Sequence, residues 1–344
     1  MRMQLALGYW PWISFEEQLT LAAQADEAGM DGLWVSEAWG QDAVSILAVL
    51  ADRTERIHLG SALMQIPARP PTTAAMAAAT IDVISDGRFR MGLGVSGPQV
   101  SEGWYGVPFT RPLSRTREYV EIVRKVWARE VVEYDGREFQ LPATEGIGLG
   151  KPLKLMIKPV QEKVPIYLGA IGPKAIEQTG EIADGWLPAF FNPYDCDRLM
   201  AHFDRGLDKA GRSRGDLDLA PMVPVAVEDD VEAAREAVRP FVAFYLGGMG
   251  AKGKNFYVDL CDDYGYGDEA REIQDRFLDG DRMGAIRAVT PDIIDAGGIA
   301  CTPDELPDRV GAYGKAGATS LLSIVFGSDR AGTVSRLAEL GAAA

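Results

Sequence analysis

Apolar and polar positions along the chain follow a helical period that hands over repeatedly to short apolar runs. Leu19, Leu21, Ala22, Ala25 and Ala28 fall near helical spacing over 15–29, and Ser14 with Glu17 three residues on has the spacing of a capping box. Gly29 ends that helix, and 32–36 reads as a buried strand. The handover recurs: a helix near 43–53 precedes a strand at 57–62, and a helix near 72–85 precedes one at 89–95. Strand 164–168 leads to a helix at about 173–183, strand 185–187 to one near 194–210, and strand 217–227 to one near 229–245. The last unit is a helix at 306–316, a strand at 319–326 and a closing helix from about 330. With 4–7 as the first, eight apolar strands alternate with helices. Uniformly buried strands in that alternation predict a parallel sheet, and eight of them predict a closed α/β barrel of the (β/α)8 (TIM) type.

Two stretches break the spacing. An insertion at about 97–163, between strands four and five, holds an amphipathic helix at 114–128 and a hairpin at 131–141. A second, at about 246–302 before strand eight, is rich in Gly and acidic residues. Insertions of this kind shape the mouth of a barrel. No linker or low-complexity tract divides the chain, so 1–344 is expected to be one domain.

Composition narrows the function. Lys plus Arg number 35 against 50 Asp plus Glu, a formal charge of −15. That argues against a nucleic-acid or anionic-membrane binder, which needs a basic field, and leaves a small molecule as the expected partner. The cysteines Cys196, Cys261 and Cys301 are far apart, and the histidines are His58 and His202, so no zinc-site spacing exists and no metal is expected. Residues 1–10 lack the pattern of a signal peptide, and no apolar run reaches the roughly 18 residues of a membrane span. A cytoplasmic enzyme is the expectation.

In such barrels chemistry sits at the C-terminal strand ends. Those ends are 8–10, 36–39, 61–64, 95–97, 169–172, 188–191 and Met222, a set that is apolar and aromatic and poor in acids, bases and metal ligands. It suits a flat hydrophobic cofactor better than hydrolysis. Trp10, Trp12, Trp39 and Trp104 are either the aromatic wall of that site or ordinary core. Gly92-Leu-Gly-Val-Ser-Gly97 is a literal GxGxxG, but it follows the fourth strand and runs straight into Pro98. It reads less as a dinucleotide fingerprint than as a strand end bare enough for a ring to approach. Gly169-Ala-Ile-Gly-Pro-Lys174 places Gly and Pro at a helix start, where backbone N–H groups can hold a phosphate, or where an ordinary βα turn is made.

Five stretches together resemble the bacterial luciferase-like monooxygenase superfamily, and more closely its coenzyme F420-dependent oxidoreductases. They begin at Asp31 (DGLWVSE), Arg56 (RIHLGSA), Asp86 (DGRFRMGLGVS), Pro165 (PIYLGAIGPK) and Gly180 (GEIADGW). The resemblance implies a TIM barrel whose third strand ends in a bulge with a non-prolyl cis peptide, matched here by Ser61–Ala62. It implies that Glu37 and Trp39 border the cofactor ring, that Val95, Ser96 and Gly97 face it, and that Ala170, Ile171 and Gly172 bind the phosphate. Lys174 and Arg69 become the basic residues for the phosphate or acidic tail. Trp10, Trp104, Phe190 and Phe191 become the substrate wall, and a homodimer is implied.

The sequence departs from the family's acid–base residues. The sugar-phosphate dehydrogenases of this type carry a His where Ala38 stands and a Glu in the stretch occupied here by 95–99. The methanopterin reductases carry a Glu near the end of strand one, which here reads Gly8-Tyr-Trp-Pro-Trp12. The resulting expectation is hydride transfer between coenzyme F420 and a small apolar or conjugated substrate, in the direction of reduction, with Tyr9 or Glu37 as proton source. The alternatives are an FMN-dependent monooxygenase of the same fold and a non-catalytic cofactor-binding protein.

Overall fold

The computed structural model describes residues 1–8 and 13–343. Tyr9, Trp10 and Trp12 lie outside the described residues. The first barrel strand, Arg2–Leu7, pairs in parallel with the second, Gly32–Val35, and the second with the third, His58–Ser61. The order continues through Phe89–Gly94, Ile166–Leu168 and Gly185–Trp186. On the other side of the first strand stands the eighth, Ser320–Phe326.

The seventh strand closes the ring in two pieces. Asp218–Leu219 pairs with strand six, and Met222–Val227 pairs with strand eight. The expected single run 217–227 breaks at Pro221, which has no N–H to give to the ladder. Bonds on either side span the break: Ala220 N and Met222 N donate to the carbonyls of Trp186 and Pro188 (2.9 and 2.8 Å), and Thr319 N and Leu322 N donate to those of Leu219 and Pro221 (2.9 Å each). The barrel is therefore closed.

The helices sit where the apolar stripes place them. Phe15–Glu27 starts at Ser14, whose hydroxyl accepts from Glu17 N at 3.2 Å. Ala43–Arg53 starts at Asp42, which accepts from Ser45 N at 2.7 Å. The first insertion contains the helix Pro112–Trp127 and a two-stranded hairpin, as expected, and also a short helix, Pro98–Gly103, that periodicity over so few residues does not reveal. The second insertion is not a mouth loop alone. It folds into four helices and a strand, Ile299–Cys301, which adds in parallel to the outer side of Met222–Val227. Among the described residues no helix is long and apolar enough to cross a membrane.

Candidate active site

The strand ends surround one cavity of about 290 Å³. Glu37 and Trp39 come from strand two, Ala62 and Leu63 from the bulge after strand three, and 93–97 from strand four. Residues 168–172 follow strand five, with Met222 and Leu322 from strands seven and eight. The two insertions supply the rest of the wall through Phe109, Leu113 and Thr116 on one side and Tyr245, Met249, Phe256 and Tyr257 on the other. Glu37 is the one charged side chain among the described lining residues.

The back of the cavity is made by the bulge. Ser61 remains in the sheet, its hydroxyl donating to Gly92 O at 2.8 Å and accepting from Gly92 N at 3.0 Å. Ala62 N still donates to Val35 O at 2.8 Å, so the chain leaves the sheet only after Ala62. The non-prolyl cis peptide accordingly lies at Ala62–Leu63, one bond beyond the expected Ser61–Ala62.

The strand-four glycines serve the bulge rather than a bare platform for a ring. A Cβ on Gly92 would lie 1.9 Å from Ser61 O, and one on Gly94 would lie 2.8 Å from the Leu63 side chain. Gly169 is under the same constraint, at 2.2 Å from Leu63 Cδ1. Leu63 is thus seated among glycines and presents itself as the cavity's rear wall.

Glu37 is held, not free. Its two carboxylate oxygens accept from the two terminal nitrogens of Arg69 at 2.7 and 3.0 Å, and Oε2 also accepts from Ala43 N at 3.0 Å. Its side chain is 3% exposed. Arg69 bonds Asp42 as well, and Tyr119 donates to its carbonyl at 3.1 Å. Burial works against the Arg69 charge, but hydrogen bonding and attraction from Glu37, with Asp42 beyond, raise its pKa further. Asp42 is pushed up by burial, yet hydrogen bonds from the Ser45 hydroxyl and N–H and the Arg69 charge hold it below the usual carboxylate range. Arg69, expected at the phosphate or tail, is spent on these two carboxylates. Gln65, absent from the sequence reading, donates to Glu37 O at 3.2 Å, while its buried Oε1 has no partner among the described residues.

Opposite this cluster, Gly172 caps the helix Pro173–Ile182, with Pro173 in its first position. The N–H groups of Ala170, Ile171 and Gly172 have no acceptor among the described residues. A Cβ on Gly172 would meet nothing within 4 Å, so this turn opens onto the cavity. Unpaired amides at a helix start suit an anion.

Several expected residues lie elsewhere. Ser61 is buried in the ladder. Lys174 is one position into the helix, its side chain 77% exposed and 3.4 Å from Glu177. Trp104, at the end of Pro98–Gly103, faces solvent. Phe190 and Phe191 are core: Phe190 supports Tyr245 and Tyr257 at 5.9 and 5.5 Å between ring centres, and Phe191 packs on Trp186 and Tyr313. The wall assigned to the two phenylalanines is formed by the tyrosines above Phe190.

The residues fit a flat aromatic group with an anionic arm. The slot is apolar, its amide end carries no opposing charge among the described lining residues, and Gln65 in the same wall offers an acceptor without a partner among the described residues. Comparison with known proteins agrees. The family model for luciferase-like monooxygenase matches residues 3–320. A Mycobacterium tuberculosis protein, whose name assigns it provisionally to the coenzyme F420-dependent oxidoreductases, is 41% identical over 94% of each chain. The 5,10-methylenetetrahydromethanopterin reductase of Archaeoglobus fulgidus is 31% identical over 93% of each. Among solved structures, a coenzyme F420-dependent tetrahydromethanopterin reductase from Methanopyrus kandleri superposes with a TM-score of 0.84 at 25% identity, covering 98% of this chain and 97% of the other.

Proposed function

The chain belongs to the luciferase-like monooxygenase family, and within it we propose a coenzyme F420-dependent oxidoreductase that reduces small, uncharged, apolar or conjugated molecules. The observation that carries this reading is the cavity wall, in which Glu37 is the one charged side chain among the described residues, already paired on both oxygens with Arg69. When bound, the deazaflavin supplies a ring carbon that gives or takes a hydride. The free amides of 170–172 would hold its phosphate, Leu63 would back its ring, Gln65 Oε1 would be available to a donor on it, and Trp39 and Val95 would border it. Phe109, Met249 and Tyr257 exclude water from the substrate side.

Oxidising an alcohol needs a base for the hydroxyl proton. Ala38 and the stretch 95–99 offer none, and a carboxylate accepting from a guanidinium on both oxygens is a positioning group rather than a proton source. Proton delivery falls to water or to a lining hydroxyl, of which Tyr245 and Tyr257 are the phenolic ones among the described residues. The relatives at 41% and 31% identity, named for F420 and methanopterin chemistry, favour the deazaflavin over FMN. The test is to offer the reduced deazaflavin with a panel of enones and imines, and the oxidised form with glucose 6-phosphate. Reduction of panel members is expected. Oxidation of the sugar phosphate with no reduction of the panel would overturn the reading.

A further inference from the structure

The second insertion meets the cavity at a narrow neck. Helix Val231–Gly248 brings Tyr245 to the wall and ends beside Met249, and helix Phe256–Asp263 begins with Phe256 and Tyr257. Between them, residues 251–254 form an exposed turn, closed by the bond from Lys254 N to Ala251 O at 2.9 Å. Met249, Phe256 and Tyr257 are therefore carried on the two sides of one loop, outside the sheet that fixes the rest of the wall.

One buried side chain joins the two sides. Asn255 Nδ2 donates to Leu246 O at 2.6 Å, and Asn255 Oδ1 accepts from Tyr257 N at 2.9 Å. Leu246 is in the last turn of its helix, where carbonyls have no partner further along the helix, and Asn255 supplies one. The two sides are close: a Cβ on Gly250 would lie 2.6 Å from that of Asn255. Met249 O in turn stands 3.5 Å from where a Cβ on Gly97 would be, so the neck rests against the end of strand four.

Helix capping alone does not call for asparagine, because Asn, Asp and Ser cap about equally well. The amide has an acceptor for Tyr257 N and a donor for Leu246 O on one planar group. An ionised Asp has no donor, and a Ser has one oxygen on a shorter arm. The bond to Leu246 is what sets Asn255 apart from an ordinary cap.

We propose that Asn255 is a positioning residue for substrate, an inference that rests on the reading of this cavity as a reductase site. By tying the start of Phe256–Asp263 to the end of Val231–Gly248, it holds Met249, Phe256 and Tyr257 as one fixed face of the substrate space. The amides of 170–172 and Leu63 belong to strand ends that Asn255 does not touch. Substrate affinity therefore depends on Asn255, and cofactor affinity does not.

The experiment compares wild type with two variants. Asn255→Ser keeps a capping oxygen and loses the reach to Leu246, while Gly250→Ala crowds the neck and leaves Asn255 in place. In both, hydrogen exchange at the amides of 249–254 should quicken at least about fivefold, and in Asn255→Ser that of 257–263 should stay as in wild type because the cap persists. Coenzyme F420 should bind both variants within about twofold of wild type. With the reduced cofactor and cyclohexenone, KM should rise at least about fivefold and kcat should stay within about twofold, which marks lost substrate binding rather than a damaged enzyme. Exchange at 249–254 that matches wild type in both folded variants overturns the proposal. So does an unchanged KM where exchange has quickened, or a loss of F420 affinity as large as the loss for cyclohexenone. A wild type that reduces no enone or imine sinks the proposed reaction, and the exchange measurement then decides on the Asn255 clamp by itself.

Discussion

Glu37 and Arg69 meet in a two-point ion pair, at 2.7 and 3.0 Å, that ties the end of the second barrel strand to the chain two residues before helix Pro71–Ile84. The pair is mostly buried, so removing one partner strands the other. Arg69→Ala is expected to destabilise the fold by about 3 kcal/mol, and Arg69→Lys to recover only part of it, because an ammonium cannot make the two-point contact. Urea denaturation measures both. A loss below about 0.5 kcal/mol for Arg69→Ala would show that the pair does not brace the mouth.

The same cluster gives a pH dependence through Asp42, whose folded-state pKa is depressed. A depressed carboxylate contributes stability that is fully present above its unfolded value of about 3.9 and is lost as pH falls through the folded value. Asp42→Asn should therefore be less stable than wild type at pH 7, with the gap closing below about pH 4. A gap that stayed constant down to pH 3 would place the stabilisation in the side chain's shape rather than its charge.

The amide turn separates space from charge. Gly172 has φ −75°, which any residue adopts, and open space at its Cβ. Gly172→Ala should leave cofactor affinity within about twofold, whereas Gly172→Asp should lower it more than tenfold, above about 1.4 kcal/mol. Lys174→Ala should cost less than Gly172→Asp, with an effect that shrinks in high salt, because that ammonium is exposed and beside Glu177. Equal affinities for the Ala and Asp variants at 172 would remove the turn from the binding site.

Much of this was readable from the chain. Eight buried strands alternating with helices place the barrel, and the strand-end rule selects Glu37, Trp39, Ala62, 95–97 and 170–172, all of which line the cavity. What the sequence withheld has specific causes. Phe190 and Phe191 follow strand six as wall residues do, but Phe190 has φ 54° and turns into the core beneath Tyr245. Leu63 looks like one more apolar residue, and its importance appears only when Gly92, Gly94 and Gly169 are seen to make room around the bulge. Phe109, Met249 and Tyr257 come from insertions with no strand-end rule to point at them. Arg69 reads as a cation awaiting an anion because sequence distance hides Glu37, 32 residues away.

Leu63 supplies its own test. Gly169→Ala would drive a methyl into Leu63 Cδ1, where the separation is 2.2 Å, and push that side chain toward the cavity. Cofactor affinity should fall at least about tenfold, with overpacking costing about 1–3 kcal/mol of stability. Adding Leu63→Ala should restore part of the affinity by vacating the space. No recovery in a folded double variant would contradict the role given to Leu63 as the rear wall.

The central claim is that this cavity holds a deazaflavin with its phosphate on the amides of 170–172. Equilibrium titration of the purified chain with coenzyme F420 and, separately, with FMN tests it most directly, followed by the fluorescence of each. The account predicts saturable binding of F420 at one per chain, at least about tenfold tighter than FMN, and weakened by Gly172→Asp. Tighter binding of FMN, or F420 binding indifferent to Gly172→Asp, would contradict it.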